Sequence, residues 1–144
     1  MENSELDYMA GFFDGEGCIS INKSNKLKRT SGKRYLQYSA VIVVSNTDRD
    51  VLEIFQRNFG GNIYTLKRGL NAHKYKPCYQ WMAFSNQAKT FCLRMVDRLI
   101  LKRKQAEIII TLQNMKNGKW KNQEKLDELE AMKLQINKLN KRGT

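Results

Sequence analysis

The chain has 144 residues, a formal net charge of +12 and one Pro. That length fits one domain, and a composition of 41% hydrophobic and 10% aromatic residues supplies a packed core, which excludes a globally disordered chain. No run approaches the ~20 apolar residues that cross a bilayer, so no membrane partner is expected. The start Met1-Glu2-Asn3-Ser4-Glu5 has no secretory pattern, and Cys18, Cys78 and Cys92 lack CxxC spacing, so a reducing, intracellular setting is expected.

Charge is unevenly placed. Asp and Glu total 14, yet none occurs from Gly17 to Thr47 or from Ile54 to Val96, and those two segments hold 13 of the 26 Lys and Arg. Mixed signs along a chain mark ordinary solvated surface; two long acid-free segments point to a face that meets a polyanion. Nucleic acid is the leading candidate, because these segments do not read as basic amphipathic helices for a membrane surface.

In chain order, Ser4 and Asp7 form a candidate capping box for a helix over 5–14, ended by Asp14-Gly15-Glu16-Gly17. Cys18 to Lys23 alternates with period two as a strand, Ser24 to Lys33 reads as a basic hairpin loop, and Arg34 to Ser45 as a second strand. Asn46-Thr47-Asp48 offers caps for a helix whose apolar positions are Val51, Leu52, Ile54, Phe55 and Phe59, closed by Gly60-Gly61. A short strand at Asn62 to Leu66 follows, then a strand from Tyr75 to Phe84 in which Pro77 predicts an edge position or a bulge. Ser85-Asn86 opens a third helix to about Leu99, and two C-terminal helices lie within about 104–139. The stripe Leu126, Leu129, Met132, Ile136 and Leu139 reads as packing onto its own subunit rather than as a coiled coil.

A strand, Ser-Asn, helix pattern occurs at Val43-Val44-Ser45-Asn46 and again at Ala83-Phe84-Ser85-Asn86, each time after another strand. The order is α-ββα-ββα plus C-terminal helices. It predicts an α+β domain over 1–144 with an antiparallel four-stranded sheet, helices on one face and the other face open.

Met9-Ala10-Gly11-Phe12-Phe13-Asp14-Gly15-Glu16-Gly17 resembles, position by position, the signature of the LAGLIDADG homing endonucleases. Glu16 stands where the signature has its final Asp, and the apolar positions are Met or Phe. Small residues on a helix let a second helix approach closely, and an acid at the helix end then meets whatever the partner presents there. The chain holds one copy of the motif, so the resemblance implies a homodimer joined through Met9, Ala10, Gly11, Phe12, Phe13 and Asp14. Two Glu16 carboxylates would then converge near the two-fold axis.

The resemblance implies an intron-encoded, site-specific nuclease of double-stranded DNA, cutting across the minor groove with short 3′ overhangs. The sheet would form a saddle on the DNA. Hard carboxylate oxygens suit Mg²⁺, with Glu16 and Gly15 as metal ligands and with Mn²⁺ or Ca²⁺ as substitutes for binding. Asn46, Arg49 and Lys102 fall where the family places polar and basic groups that position water and phosphate, so Glu16, Asn46, Arg49 and Lys102 form the expected catalytic set. Expected DNA contacts are Asn22, Lys23, Lys26, Lys28, Arg29, Lys33, Arg34, Gln37 and Tyr38 from the first two strands and their loop. Tyr64, Lys67, Arg68, Lys74, Lys76 and Gln80 follow from the second pair. A strand of ~10 residues spans about 33 Å, or ~10 base pairs, so a dimer would cover on the order of 20 base pairs of a pseudo-palindromic target.

Two rivals share this fold: a maturase that binds intron RNA, and a DNA-binding protein without cleavage. The excess of Lys (17) over Arg (9), with 13 Asn and 10 Ile, fits an AT-rich coding genome. An organelle is therefore the expected setting, beside a prokaryotic cytoplasm.

Overall fold

The computed structural model describes residues 3–27, 29–66, 77–116 and 123–141. The elements are α1 (Asn3–Glu16), β1 (Gly17–Leu27), β2 (Arg34–Asn46), α2 (Arg49–Phe59), β3 (Asn62–Leu66), β4 (Cys78–Phe84), α3 (Ser85–Met95), α4 (Arg103–Lys116) and α5 (Gln123–Asn140). The four strands form one sheet in the order β1-β2-β4-β3, each neighbouring pair antiparallel.

The periodicity of the strands sets the layers. Ile19 and Ile21 on β1, Tyr38, Ala40, Ile42 and Val44 on β2, and Trp81 and Ala83 on β4 are buried and share one side of the sheet. On that side they meet Met9, Phe13, Leu52, Phe55, Phe59, Phe91, Met95, Ile109 and Leu112 from the helices. An aromatic cluster sits at the centre, with Phe55–Trp81 at 5.2 Å and Phe13–Phe91 at 4.9 Å between ring centroids. Each such buried side chain contributes about 1.5–3 kcal/mol. The Trp81 indole N–H donates to Gly60 O at 2.8 Å, and a Cβ at Gly61 (φ +80°) would collide with Met82 O and that indole. Gly60-Gly61 therefore both ends α2 and lets β3 begin.

Several boundaries differ from expectation. α1 starts at Asn3 and runs through Gly15 to Glu16, so Ser4 lies inside the helix rather than capping it. A helical Gly costs only about 1 kcal/mol, and tertiary contacts at the helix end override it. The Lys102 Nζ donates to Asp14 O at 2.6 Å, and a Cβ on Gly17 would overlap the Phe13 ring that lies over it. β1 continues to Leu27, because its ladder with β2 persists to the Leu27–Arg34 pair; the loop is correspondingly short. β4 is an interior strand, not an edge. Pro77 sits just before its first residue, where a missing N–H removes no ladder bond.

The repeated Ser-Asn pairs are topologically equivalent and locally different. Asn46 accepts from Asp48 N (2.8 Å), and Asp48 is the cap of α2, accepting from Asp50 N (2.9 Å). Ser85 instead starts α3 directly at φ +51°. α5 packs on its own subunit as expected, burying Leu129 and Ile136. Its Glu130 binds Lys23 Nζ (2.8 Å), and its Asn140 donates to Ile19 O (2.8 Å). Cys92 is buried, and burial pushes its thiol up to about 12.

Candidate functional site

Two carboxylates and a lysine gather at the end of α1. Asp14 and Glu16 lie two residues apart in its last turn and face opposite environments. Asp14 is buried, and its carboxylate accepts from Ile100 N (2.8 Å) and Lys102 N (3.1 Å). It therefore pins the 99–102 segment onto α1 and opens α4. Glu16 is exposed at the helix end. Lys102 is 5% exposed, and its ammonium sits on a carbonyl of that same last turn, where the helix leaves carbonyl oxygens without intrahelical partners. Gly15, Gly17, Cys18, Lys102, Gln105 and Asn140 line a cleft here.

The pairing Gly17–Val44 brings the end of β2, and so Asn46, to the same end of the sheet as Glu16. Asn46 spends its side-chain oxygen on Asp48 N. Arg49, in the first turn of α2, is ion-paired with Glu53 (3.2 Å) and lies 5.7 Å over the Tyr79 ring.

The donor set suits a hard cation held loosely. Among the described residues no three His, Cys, Asp or Glu side chains gather. One exposed carboxylate, Glu16, lies beside last-turn carbonyls such as that of Gly15. Mg²⁺-type sites take few protein oxygens and complete their shell with water and phosphate.

The strand register sorts the expected DNA contacts. The open face carries Cys18, Ser20, Asn22, Ser24 and Lys26 of β1, paired with Val43, Val41, Ser39, Gln37 and Tyr35 of β2. From β4 and β3 it carries Gln80, Met82, Phe84, Asn62, Tyr64 and Leu66. Gln80 donates to Ser45 Oγ (3.2 Å) on that face. Asn22, Lys26, Gln37, Tyr64 and Gln80 thus lie on the open face, and Arg29 and Lys33 are exposed at the tip of the β1–β2 hairpin.

Lys23 and Tyr38 do not. They pair with each other on the helix side, Lys23 bound to Glu130 and Tyr38 buried with its hydroxyl 3.4 Å from the same carboxylate. Arg34 also falls on that side by alternation, exposed at the far end of the ladder. The reason is the period of two: each is one residue out of phase with an open-face neighbour. Lys28, Lys67, Arg68, Lys74 and Lys76, with His73, lie outside the described residues.

The expected dimer face is corrected in the same way. Met9, Ala10 and Phe13 are buried in their own core and Asp14 is tied to the 99–102 segment, so none of the four is presented outward. Ala10 is buried and Gly11 exposed, so the two small residues lie on different sides of the helix. The outward stripe is Ser4, Tyr8, Gly11, Phe12 and Gly15, with Tyr8 52% exposed and stacked on Phe12 at 6.2 Å. A Cβ at Gly11 or Gly15 meets nothing within 4 Å, so no contact among the described residues explains glycine at either place. Ile100 (81% exposed) and Leu101 (67%) follow the anchored Leu99 beside this helix end. Sequence reasoning did not single them out; their only signal was two apolar residues in a loop.

The sequence model of the LAGLIDADG endonuclease family matches residues 9–91, more than half of the chain. The structure resembles the homing endonuclease I-CvuI in complex with its target in the presence of Ca, at TM-score 0.75 and 20% identity over 98% of this chain and 84% of that one. It also resembles I-Vdi141I, an archaeal intron-encoded homing endonuclease complexed with DNA (TM-score 0.75, 22% identity, 100% and 89% of the two chains). I-SmaMI bound to uncleaved DNA with calcium ions matches at TM-score 0.70 and 22% identity, over 95% of this chain and 46% of that one. At these identities the likeness establishes the fold. No curated protein matches the sequence.

Proposed function

The chain belongs to the LAGLIDADG endonuclease family, and from that premise we propose that it is a site-specific homing endonuclease. As a homodimer it cuts a long pseudo-palindromic double-stranded DNA target by Mg²⁺-dependent hydrolysis and leaves short 3′ overhangs. The observation that carries this reading is the end of α1, where an exposed Glu16 and a Lys102 buried and anchored on Asp14 O share one helix terminus, beside an open sheet face free of acids among the described residues.

The division of labour follows from the environments. Glu16, with the Gly15 carbonyl, would hold the divalent cation, which when bound activates water and offsets charge on the phosphate. Lys102 lies in the cleft as a fixed positive charge for the developing phosphate charge, and its anchoring to α1 removes the cost of ordering it during the reaction. Asn46 orients polar groups at the end of β2. Arg49 reaches a phosphate by exchanging Glu53 for it. Asn22, Lys26, Gln37, Tyr64 and Gln80 face the bases, while Arg29 and Lys33 meet the backbone.

Dimerisation is supported by the Tyr8, Gly11, Phe12 and Gly15 stripe, with Ile100 and Leu101 at its edge. Two helical glycines without an intrachain reason are explained by the close approach of a second α1. That this chain aligns to 46% of I-SmaMI fits two copies doing the work of one longer chain. The Lys-rich, Asn- and Ile-rich composition supports a host genome rich in A·T, such as an organelle's.

The test is incubation with a library of candidate sites in Mg²⁺ and in EDTA. Metal-dependent double-strand cuts at one site support the reading. Binding without cutting in Mg²⁺ would favour a splicing or non-catalytic protein on this fold.

A further inference from the structure

Beyond the flanking polar positions, the open face has an apolar centre. The rung Cys18–Val43–Met82–Asn62 crosses all four strands. The next rung is Ser20–Val41–Phe84, with Phe84 42% exposed. Further along the β1–β2 arm every rung is polar or amphipathic: Asn22–Ser39, Ser24–Gln37 and Lys26–Tyr35. None of these four apolar residues, Val41, Val43, Met82 and Phe84, belongs to the core cluster on the other side of the sheet; Val41 is 8% exposed between its neighbours, Val43 and Met82 are half-buried and Phe84 is the most open. A contiguous apolar patch left facing out marks a contact surface. This one is continuous with the Glu16 end and lies within the two acid-free segments, whose charge complements the phosphates of DNA.

Resting on the DNA reading above, we propose that this patch sets how the inner part of each half-site is read. Valine, Met and Phe side chains neither donate nor accept. The one apolar group a base presents in the major groove is the thymine methyl. The inner base pairs under these two rungs are therefore recognised by contact with thymine methyls and by base-step shape, while hydrogen-bond readout belongs to Gln80 and Tyr64 on the rung nearer Glu16 and to the outer pairs under Asn22, Ser24, Lys26 and Gln37. Adjacent same-face rungs lie about 7 Å apart, so the two apolar rungs cover roughly two to four base pairs.

The experiment starts from a target selected out of randomised DNA by binding and cleavage. In that target each thymine is replaced singly by uracil, which removes the methyl and changes no hydrogen bond, and Kd is measured. Expected is a loss of about fourfold per methyl at inner positions, little change at outer ones, and loss of the uracil effect at the matching position in Val43→Ala or Met82→Ala. Selected inner positions fixed as G·C, or a Kd indifferent to uracil there, would overturn the proposal. So would an inner uracil effect that both variants leave unchanged. Because uracil is introduced in the DNA, a misfolded variant cannot imitate the first result. Failure of the DNA reading itself is seen earlier, as no sequence selected at all, and takes this proposal with it.

Discussion

Asp14→Ala is expected to unfold the junction that presents Glu16 rather than to remove a metal ligand. The Asp14 carboxylate accepts two backbone N–H groups, Ile100 N at 2.8 Å and Lys102 N at 3.1 Å, the second fully enclosed. Hydrogen bonds to a charged group are worth about 1.5–3 kcal/mol, and a buried donor left without a partner costs a similar amount. Water can reach the half-buried Ile100 N, so about 1 kcal/mol is assigned there and about 2–3 kcal/mol to Lys102 N. The expected loss is therefore about 3–4 kcal/mol, a large share of the ~5–15 kcal/mol that holds a domain together. In Tm this is a fall of roughly 10 °C. Urea unfolding at one fixed protein concentration measures it, since a dimer's stability depends on concentration. Glu16→Gln, at an exposed position, is expected to stay within about 0.5 kcal/mol of the parent. An Asp14→Ala protein that unfolds at the parent's urea midpoint would refute the structural role given to this carboxylate.

Other substitutions separate surfaces that look alike in sequence. A Cβ at exposed Gly11 meets nothing among the described residues, so Gly11→Leu is expected to fold normally but sediment as a monomer without cleavage; a stable, active dimer would contradict the α1 interface. Asn22→Ala and Gln37→Ala are expected to relax base preference by about 1–3 kcal/mol at one position each, as seen by selection on randomised sites. Lys23→Gln, whose partner is Glu130, is expected to leave that preference intact. Acid titration tests the Lys23–Glu130 contact itself: the hydrogen bond from Lys23 holds Glu130 below its ordinary 4.5. A depressed carboxylate stabilises above its unfolded value and loses that contribution as pH falls through the folded one. The small advantage of the parent over Glu130→Gln in thermal melts should therefore be present at neutral pH and fade below about pH 4.5.

Periodicity carried most of the fold. The alternation Ile19, Ile21 and Ala40, Ile42, Val44 was enough to fix both strands and their buried side, and Gly60-Gly61 placed the end of α2. What stayed hidden depended on partners far along the chain. The glycine at 15 reads locally as a helix stop, but Lys102, 88 residues from Asp14, completes the turn. Lys23 and Tyr38 read as polar, DNA-facing groups until Glu130 of α5 supplies their partner from the other side. In the motif, the apolar and small residues read together as one contact surface, but which of them face the core depends on the helix rotation. Met9, Ala10 and Phe13 turn inward, while Gly11 and Gly15 stay outside. Glu16 stood out from the local motif, but that Lys102, distant in sequence, anchors on the same helix end was not visible there.

The most direct measurement is single-turnover cleavage of the selected site in Mg²⁺ by the parent and by Glu16→Gln, with DNA binding measured on the same samples. Unchanged affinity and fold are expected for the variant, with cleavage slowed by a factor of at least about 100, as when a group acting in the transition state is removed. Cleavage at the parental rate by Glu16→Gln would contradict the central role assigned to the carboxylate at the end of α1.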